Sequence, residues 1–179
     1  ASFVQKEDAF LLNYGYQGMS SIIDALTTRN DVIVYDSESH ACILDGMRMS
    51  LAKRYVFPHN NMENLEKQLE RAVKRADQQG GGVLVISEGV FGMAGDLGNL
   101  KVICALKDKF KFRLLVDDAH GFGVLGEHGK GSLEHFQLTQ KDVPIYMATL
   151  GKALGTSGAF IAGSEALIET LIQKARPYI

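Results

Sequence analysis

The sequence predicts an α/β fold, a mostly parallel sheet flanked by helices. Three observations predict it. Short strand-like runs alternate with longer stretches of helical period along the chain, the pattern that yields parallel strands joined by right-handed crossovers. Residues 83–87 (Val-Leu-Val-Ile-Ser) and 112–116 are apolar without alternation, as in strands buried on both faces. Chemically versatile side chains gather just past the strand ends, where such sheets bind ligands.

Each element has its own reason. Residues 9–13 form a short apolar run, followed by the turn Gly15-Tyr16-Gln17-Gly18 and by helical spacing over 19–27. Residues 31–35 read as a strand, and 39–50 as a helix with Ile43, Leu44, Met47 and Leu51 on one side. A short strand over 53–57 ends at Pro58. Asn60 then starts a helix, with Glu63 three residues on completing a capping box. Leu65, Leu69, Val73 and Ala76 continue its apolar face, and Gly80-Gly81-Gly82 terminates it. After the strand 83–87 comes a helix over 97–109 with Val102, Ile103 and Leu106 inward, then the strand 112–116. Residues 121–135 are glycine-rich and irregular. Strands follow at 143–148 and 159–162. Ser164 caps a last helix to about Ala175, which Pro177 stops. No repeat or inner linker interrupts the pattern, so residues 1–179 read as one domain. The start at Ala1 and the end at Arg176-Pro177-Tyr178-Ile179 suggest a domain of a longer polypeptide.

Composition narrows the function. With 179 residues, 46% hydrophobic and 22% charged, the chain has an ordinary globular make-up. A net charge of −2 without long like-charged runs argues against nucleic-acid binding. The basic residues Lys101, Lys107, Lys109, Lys111 and Arg113 read as the solvated face of a helix and its exit. No apolar stretch reaches membrane-spanning length, and no secretory signal opens the sequence. Cys42 and Cys104 lack metal spacing and read as small core residues in a reducing compartment. A cytoplasmic location and no resident metal are expected.

Two clusters carry the chemistry. Lys152 stands in Thr149-Leu150-Gly151-Lys152, after the run 143–148; Asp117-Asp118-Ala119-His120 closes the run 112–116. An amine beyond one strand and an Asp/His pair at the tip of another can hold an aromatic aldehyde at both ends. Pyridoxal phosphate needs such groups: an amine for the Schiff base and a carboxylate that keeps the ring nitrogen protonated. Lys152 is the expected amine and base, Asp117 the carboxylate, and His120 a donor to the ring oxygen. Asp118 points to the other face and is structural. Thr149 can reach the phosphate. The Gly15–Tyr16 turn leaves helix-start N–H groups free for an anion, with Tyr16 beside the ring; it also fits a plain glycine turn. His40 can stack on a flat cofactor, meet a substrate carboxylate or cap a helix. Glu88 can bond substrate, neighbouring loops or water. A dinucleotide site has no Gly-x-Gly-x-x-Gly support.

Taken together, Gly15-Tyr16, His40, Glu88-Gly-Val-Phe, Asp117-Asp-Ala-His120-Gly and Thr149-Leu-Gly-Lys152-Ala-Leu-Gly resemble the α-oxoamine synthases, in the family order and over nearly the whole chain. The resemblance implies the large domain of a fold-type I pyridoxal-phosphate transferase. It implies condensation of an amino acid with an acyl-CoA and loss of carbon dioxide. It assigns Lys152 to the Schiff base, Asp117 to the ring nitrogen, His120 to the ring hydroxyl and His40 to stacking. Thr149 and Gly15-Tyr16 fall to the phosphate. The segments around Asn13, His40 and Ser87 look most like the bacterial serine palmitoyltransferase branch, which makes 3-ketodihydrosphingosine from L-serine and palmitoyl-CoA. The 8-amino-7-oxononanoate synthase and 2-amino-3-ketobutyrate ligase branches are alternatives. A non-catalytic regulatory subunit would be expected to lack Lys152. Many members carry Ser where Gly92 stands, which leaves one cofactor hydrogen bond, worth about 1 kcal/mol, unassigned. The resemblance also implies a homodimer, an N-terminal segment and a small C-terminal domain beyond these residues.

Overall fold

The computed structural model describes residues 1–175, so the expected stop at Pro177 lies outside the described residues. Its strands are β1 (Asp8–Leu12), β2 (Val32–Asp36), β3 (Lys53–Phe57), β4 (Val83–Glu88), β5 (Arg113–Asp117), β6 (Ile145–Thr149) and β7 (Ala159–Gly163). They form one sheet in the order β1-β7-β6-β5-β4-β2-β3. β2 to β6 run parallel; β7 is antiparallel to both its neighbours. The helices are α1 (Gly15–Leu26), α2 (Ala41–Met49), α3 (Met62–Gln79), α4 (Leu100–Ala105), α5 (Ser132–Phe136) and α6 (Glu165–Lys174).

The unbroken apolar strands exist because both faces of the sheet are covered. Val32, Val34, Val83, Val85, Leu114 and Val116 pack into one layer with α3 and α4. Ile33, Leu84, Ile86 and Leu115 pack into the other with α1, α2 and α6. From β2 the chain goes outward to β3, then crosses back over β2 to β4 and onward to β5 and β6. The direction of winding therefore reverses between β2 and β4. That is the crevice where open α/β sheets take ligands.

Several boundaries differ from the sequence reading. The cap of α3 is Asn61, whose side chain accepts from Asn64 N at 2.9 Å. Asn60 instead takes a left-handed φ of 50°, and its amide donates to Asp96 and to the Leu97 carbonyl. The Asn60–Glu63 box does not form. Leu51 follows the end of α2 and is exposed, as is Val102 on the outer side of α4; Leu100, Ile103 and Leu106 supply the inward face. α1 begins at Gly15, ahead of the apolar spacing. β6 begins after Pro144, which has no N–H to give a ladder. Within the irregular stretch, residues 132–136 form α5.

Candidate active site

The ends of four parallel strands meet at the carboxyl edge of the sheet. After β2, residues 37–40 lead into α2 with His40 as its N-cap: the imidazole Nδ1 accepts from Cys42 N at 3.2 Å. The His40 backbone N–H donates to Glu88 Oε1 at 2.6 Å. The His40 ring meets the Tyr16 ring edge-on, centroids 6.1 Å apart. Tyr16 is half exposed, and its hydroxyl donates to Asp45.

Glu88 and Asp117 end neighbouring strands, are paired in register and are both buried. Burial and then the charge of Asp117 push the Glu88 carboxyl up to about 8. Burial likewise raises Asp117, opposed by the Ala119 N–H and the positive groups Lys152 and His40. Two adjacent carboxylates in low dielectric cannot both stay charged without a cation between them. Asp117 Oδ1 accepts from Ala119 N at 3.0 Å, while Oδ2 has only the Cys42 thiol, 4.0 Å away. Asp118 turns to the opposite face. It accepts from Tyr146 Oη and Ser132 N, each at 2.7 Å.

Lys152 sits in the loop from β6 to β7. That loop is held by Leu150 N donating to the Gly158 carbonyl (2.9 Å) and Thr156 N to the Leu150 carbonyl (3.2 Å). Lys152 Nζ lies 2.9 Å from His120 Nε2. Burial, then the Lys152 and His40 charges, lower the His120 pKa, while a bond to the Val90 backbone works the other way. His120 is therefore held toward its neutral form, with Nε2 facing the lysine amine. Gly92 packs against it: a Cβ there would come within 2.4 Å of His120 Cε1. Any side chain at this position would require that ring to move.

At the other wall, Thr149 Oγ1 is buried without a hydrogen-bond partner among the described residues. Gly15 approaches Thr149 so closely that a Cβ would lie 2.5 Å from Cγ2. Tyr14, the N-cap of α1, makes no side-chain cap bond, so first-turn N–H groups remain available to an anion.

All eight expected residues (Gly15, Tyr16, His40, Glu88, Asp117, His120, Thr149 and Lys152) line one cavity of about 360 Å³. Cys42, Met147, Thr156 and Ser157 also line it, and sequence reasoning missed them. Cys42 was expected in the core; it is buried, but against the site. Its place two residues after a histidine at a helix start was the available signal. Cys104 is half-buried, its thiol on the Asp142 carbonyl. A larger cavity of about 530 Å³ opens beside Asp31, Asp77, Lys111 and Arg113. It lies at the opposite, amino edge of the strands and gathers no comparable set. The donor set of the smaller cavity fits pyridoxal phosphate: an amine, a carboxylate oxygen without a strong partner, two imidazoles, and an orphaned hydroxyl near a helix start.

Residues 1–179 match the family described as aminotransferase class I and II. Over 171 residues the chain is 58% identical to a cysteate-C-fatty acyltransferase of Capnocytophaga ochracea, covering 96% of this chain and 40% of that protein. It is 46% identical to an 8-amino-7-oxononanoate synthase of Hydrogenovibrio crunogenus, over 100% of this chain and 44% of that protein. Among solved structures, Sphingomonas wittichii serine palmitoyltransferase superposes with a TM-score of 0.91 at 36% identity, over 99% of this chain and 43% of that one. The chain thus spans less than half the length of these relatives.

Proposed function

This chain belongs to the aminotransferase class I and II family and, within it, to the pyridoxal-phosphate-dependent α-oxoamine synthases; from that premise we propose that it forms the major, cofactor-binding domain of an acyltransferase joining an amino acid to an acyl-CoA. The observation that carries the reading is the convergence of Lys152, Asp117, His40 and His120 on one cavity with the unpaired Thr149 hydroxyl at its wall.

Bound there, the cofactor would supply an electron sink for negative charge at the amino acid's α-carbon. Lys152 would hold the aldehyde end, and its amine stands where it could take the α-proton of the amino acid. Asp117 would offer Oδ2 to the ring nitrogen, whose positive charge would favour the ionised carboxylate. His120 Nε2, which faces Lys152 Nζ at 2.9 Å, would face the ring oxygen of the cofactor and keep the lysine close. His40 would lie against the ring. Thr149 Oγ1 and the first-turn N–H groups at Gly15 and Tyr16 would take the phosphate. Glu88 fixes the backbone of His40. In the net change a bond forms between the α-carbon and the acyl carbonyl carbon, the thioester C–S bond breaks and frees CoA, and the carboxylate leaves as carbon dioxide.

The 58% identity to a cysteate-C-fatty acyltransferase favours a fatty acyl donor with cysteate as the amino acid. L-serine with palmitoyl-CoA is the second reading, favoured by the site motifs and the 0.91 superposition. A homodimer is the expected assembly. The test uses the full-length protein and measures CoA release with cysteate, serine, alanine and glycine in parallel. Release with cysteate and palmitoyl-CoA is expected. Turnover only with alanine and a pimeloyl thioester would transfer the protein to the oxononanoate branch. Lys152→Ala should abolish release and also retention of cofactor after borohydride reduction. Cofactor retained by that variant would remove Lys152 from its role.

A further inference from the structure

Building on the acyltransferase reading, we infer that His59 is a positioning residue for this site: bridging Asp36 and Asp96, it ties the loop that leads to His40 to the loop after β4 that packs against His120. His59 follows Pro58 at the end of β3 and does not line the cavity. Its Nδ1 lies 2.9 Å from Asp36 Oδ1 and its Nε2 2.7 Å from Asp96 Oδ2. With a carboxylate oxygen on each ring nitrogen, both nitrogens carry hydrogen and the ring is an imidazolium. Burial works against that charge, but the bonds to Asp96 and Asp36 outweigh it and raise the pKa. The groups facing the ring are Asp36 from β2, Glu38 at 3.9 Å from the next loop, and Asp96 and Phe91 from the loop after β4. Asn60 adds a backbone bond to Asp36 and a side-chain bond to Asp96.

Each arm of the bridge ends on a site imidazole. On one side, Asp36 accepts from Glu38 N through its carboxylate and from Ser39 N through its carbonyl; His40 is the next residue. On the other side, the 91–96 turn is closed by Phe91 N on the Asp96 carbonyl (2.9 Å) and Gly95 N on the Phe91 carbonyl (2.8 Å). That loop carries Val90, bonded to the His120 ring, and Gly92, packed against it. Loss of the His59 proton would leave one ring nitrogen facing a carboxylate lone pair to lone pair, and that arm would open.

The experiment uses the full-length holoenzyme and the variants His59→Ala, Asp96→Asn, His120→Asn and the double His59→Ala/His120→Asn. Cofactor affinity, by fluorescence, and turnover are read for each. His59→Ala should weaken cofactor binding and lower kcat by about ten- to a hundredfold, the scale of a sub-ångström to ångström misplacement. In the His120→Asn background the same change should cost clearly less than in the parent, because one of its two routes to the cofactor is already cut. Should His59→Ala fail to fold, Asp96→Asn, which leaves the buried Asp36 paired, must shift both readouts the same way. Unchanged variants, or losses that multiply fully in the double variant, overturn the inference. A wild-type protein that binds no pyridoxal phosphate would instead refute the acyltransferase reading itself.

Discussion

Asp117 and Asp118 leave β5 on opposite faces of the sheet and meet opposite environments. Asp118 is closed off by Tyr146 and Ser132, and burial pushes its carboxyl up to about 6. Asp117 keeps one oxygen open to the cavity. Asp117→Asn removes the anion but keeps the shape. Turnover of the full-length enzyme should fall by about 10²–10³ while the protein stays folded and still takes up cofactor; steady-state kinetics beside a cofactor titration check this. The period-2 alternation of a strand was enough to separate these two residues in the sequence. Lys152, Thr149 and His40 were legible for a related reason: each stands within a few residues of an apolar strand end. Cys42 was not, because its approach to Asp117 spans 75 residues of sequence. His59 escaped notice too, since its carboxylate partners are 23 and 37 residues away.

At the scale of elements, the strands were legible because unbroken apolar runs leave little choice, whereas helix ends were not. Asn60 and Asn61 are both good caps, and adjacency alone cannot choose between them. Tertiary bonding decides: Asn60 is drawn to Asp96, Leu97 and Asn99, and asparagine tolerates the left-handed backbone this requires. Asn61→Ala should therefore cost about 1 kcal/mol of stability and lower Tm by roughly 2–4 °C, read by thermal melts. Glu63→Ala, with no reciprocal box to lose, should shift Tm by less. Leu51 and Val102 were assigned inward on period alone. Leu51 lies past the end of α2, and Val102 faces outward in the middle of the short α4.

For the whole molecule, the buried Glu88–Asp117 pair makes stability depend on pH. The folded Glu88 pKa of about 8 lies above its ordinary 4.5, so the fold favours the neutral acid. Its contribution is complete below about 4.5 and is lost as pH rises through about 8. Cofactor-free Glu88→Gln should therefore match its parent near pH 4 and become progressively more stable than it as pH rises to 8. Denaturant melts across that range test the sign.

The reversed strand β7 has a consequence for how this protein can change over time. Because β7 returns beside β6, the stretch holding Lys152 is a hairpin stapled at both feet rather than a crossover with slack. A crossover absorbs an added residue by sliding a helix along the sheet; a stapled hairpin of fixed span cannot. Between Thr149 and Gly158, side chains other than Lys152 and the positive-φ Gly155 are open to drift, but a one-residue insertion or deletion would swing the amine out of the crevice, so the spacing of this segment is its inheritable constant.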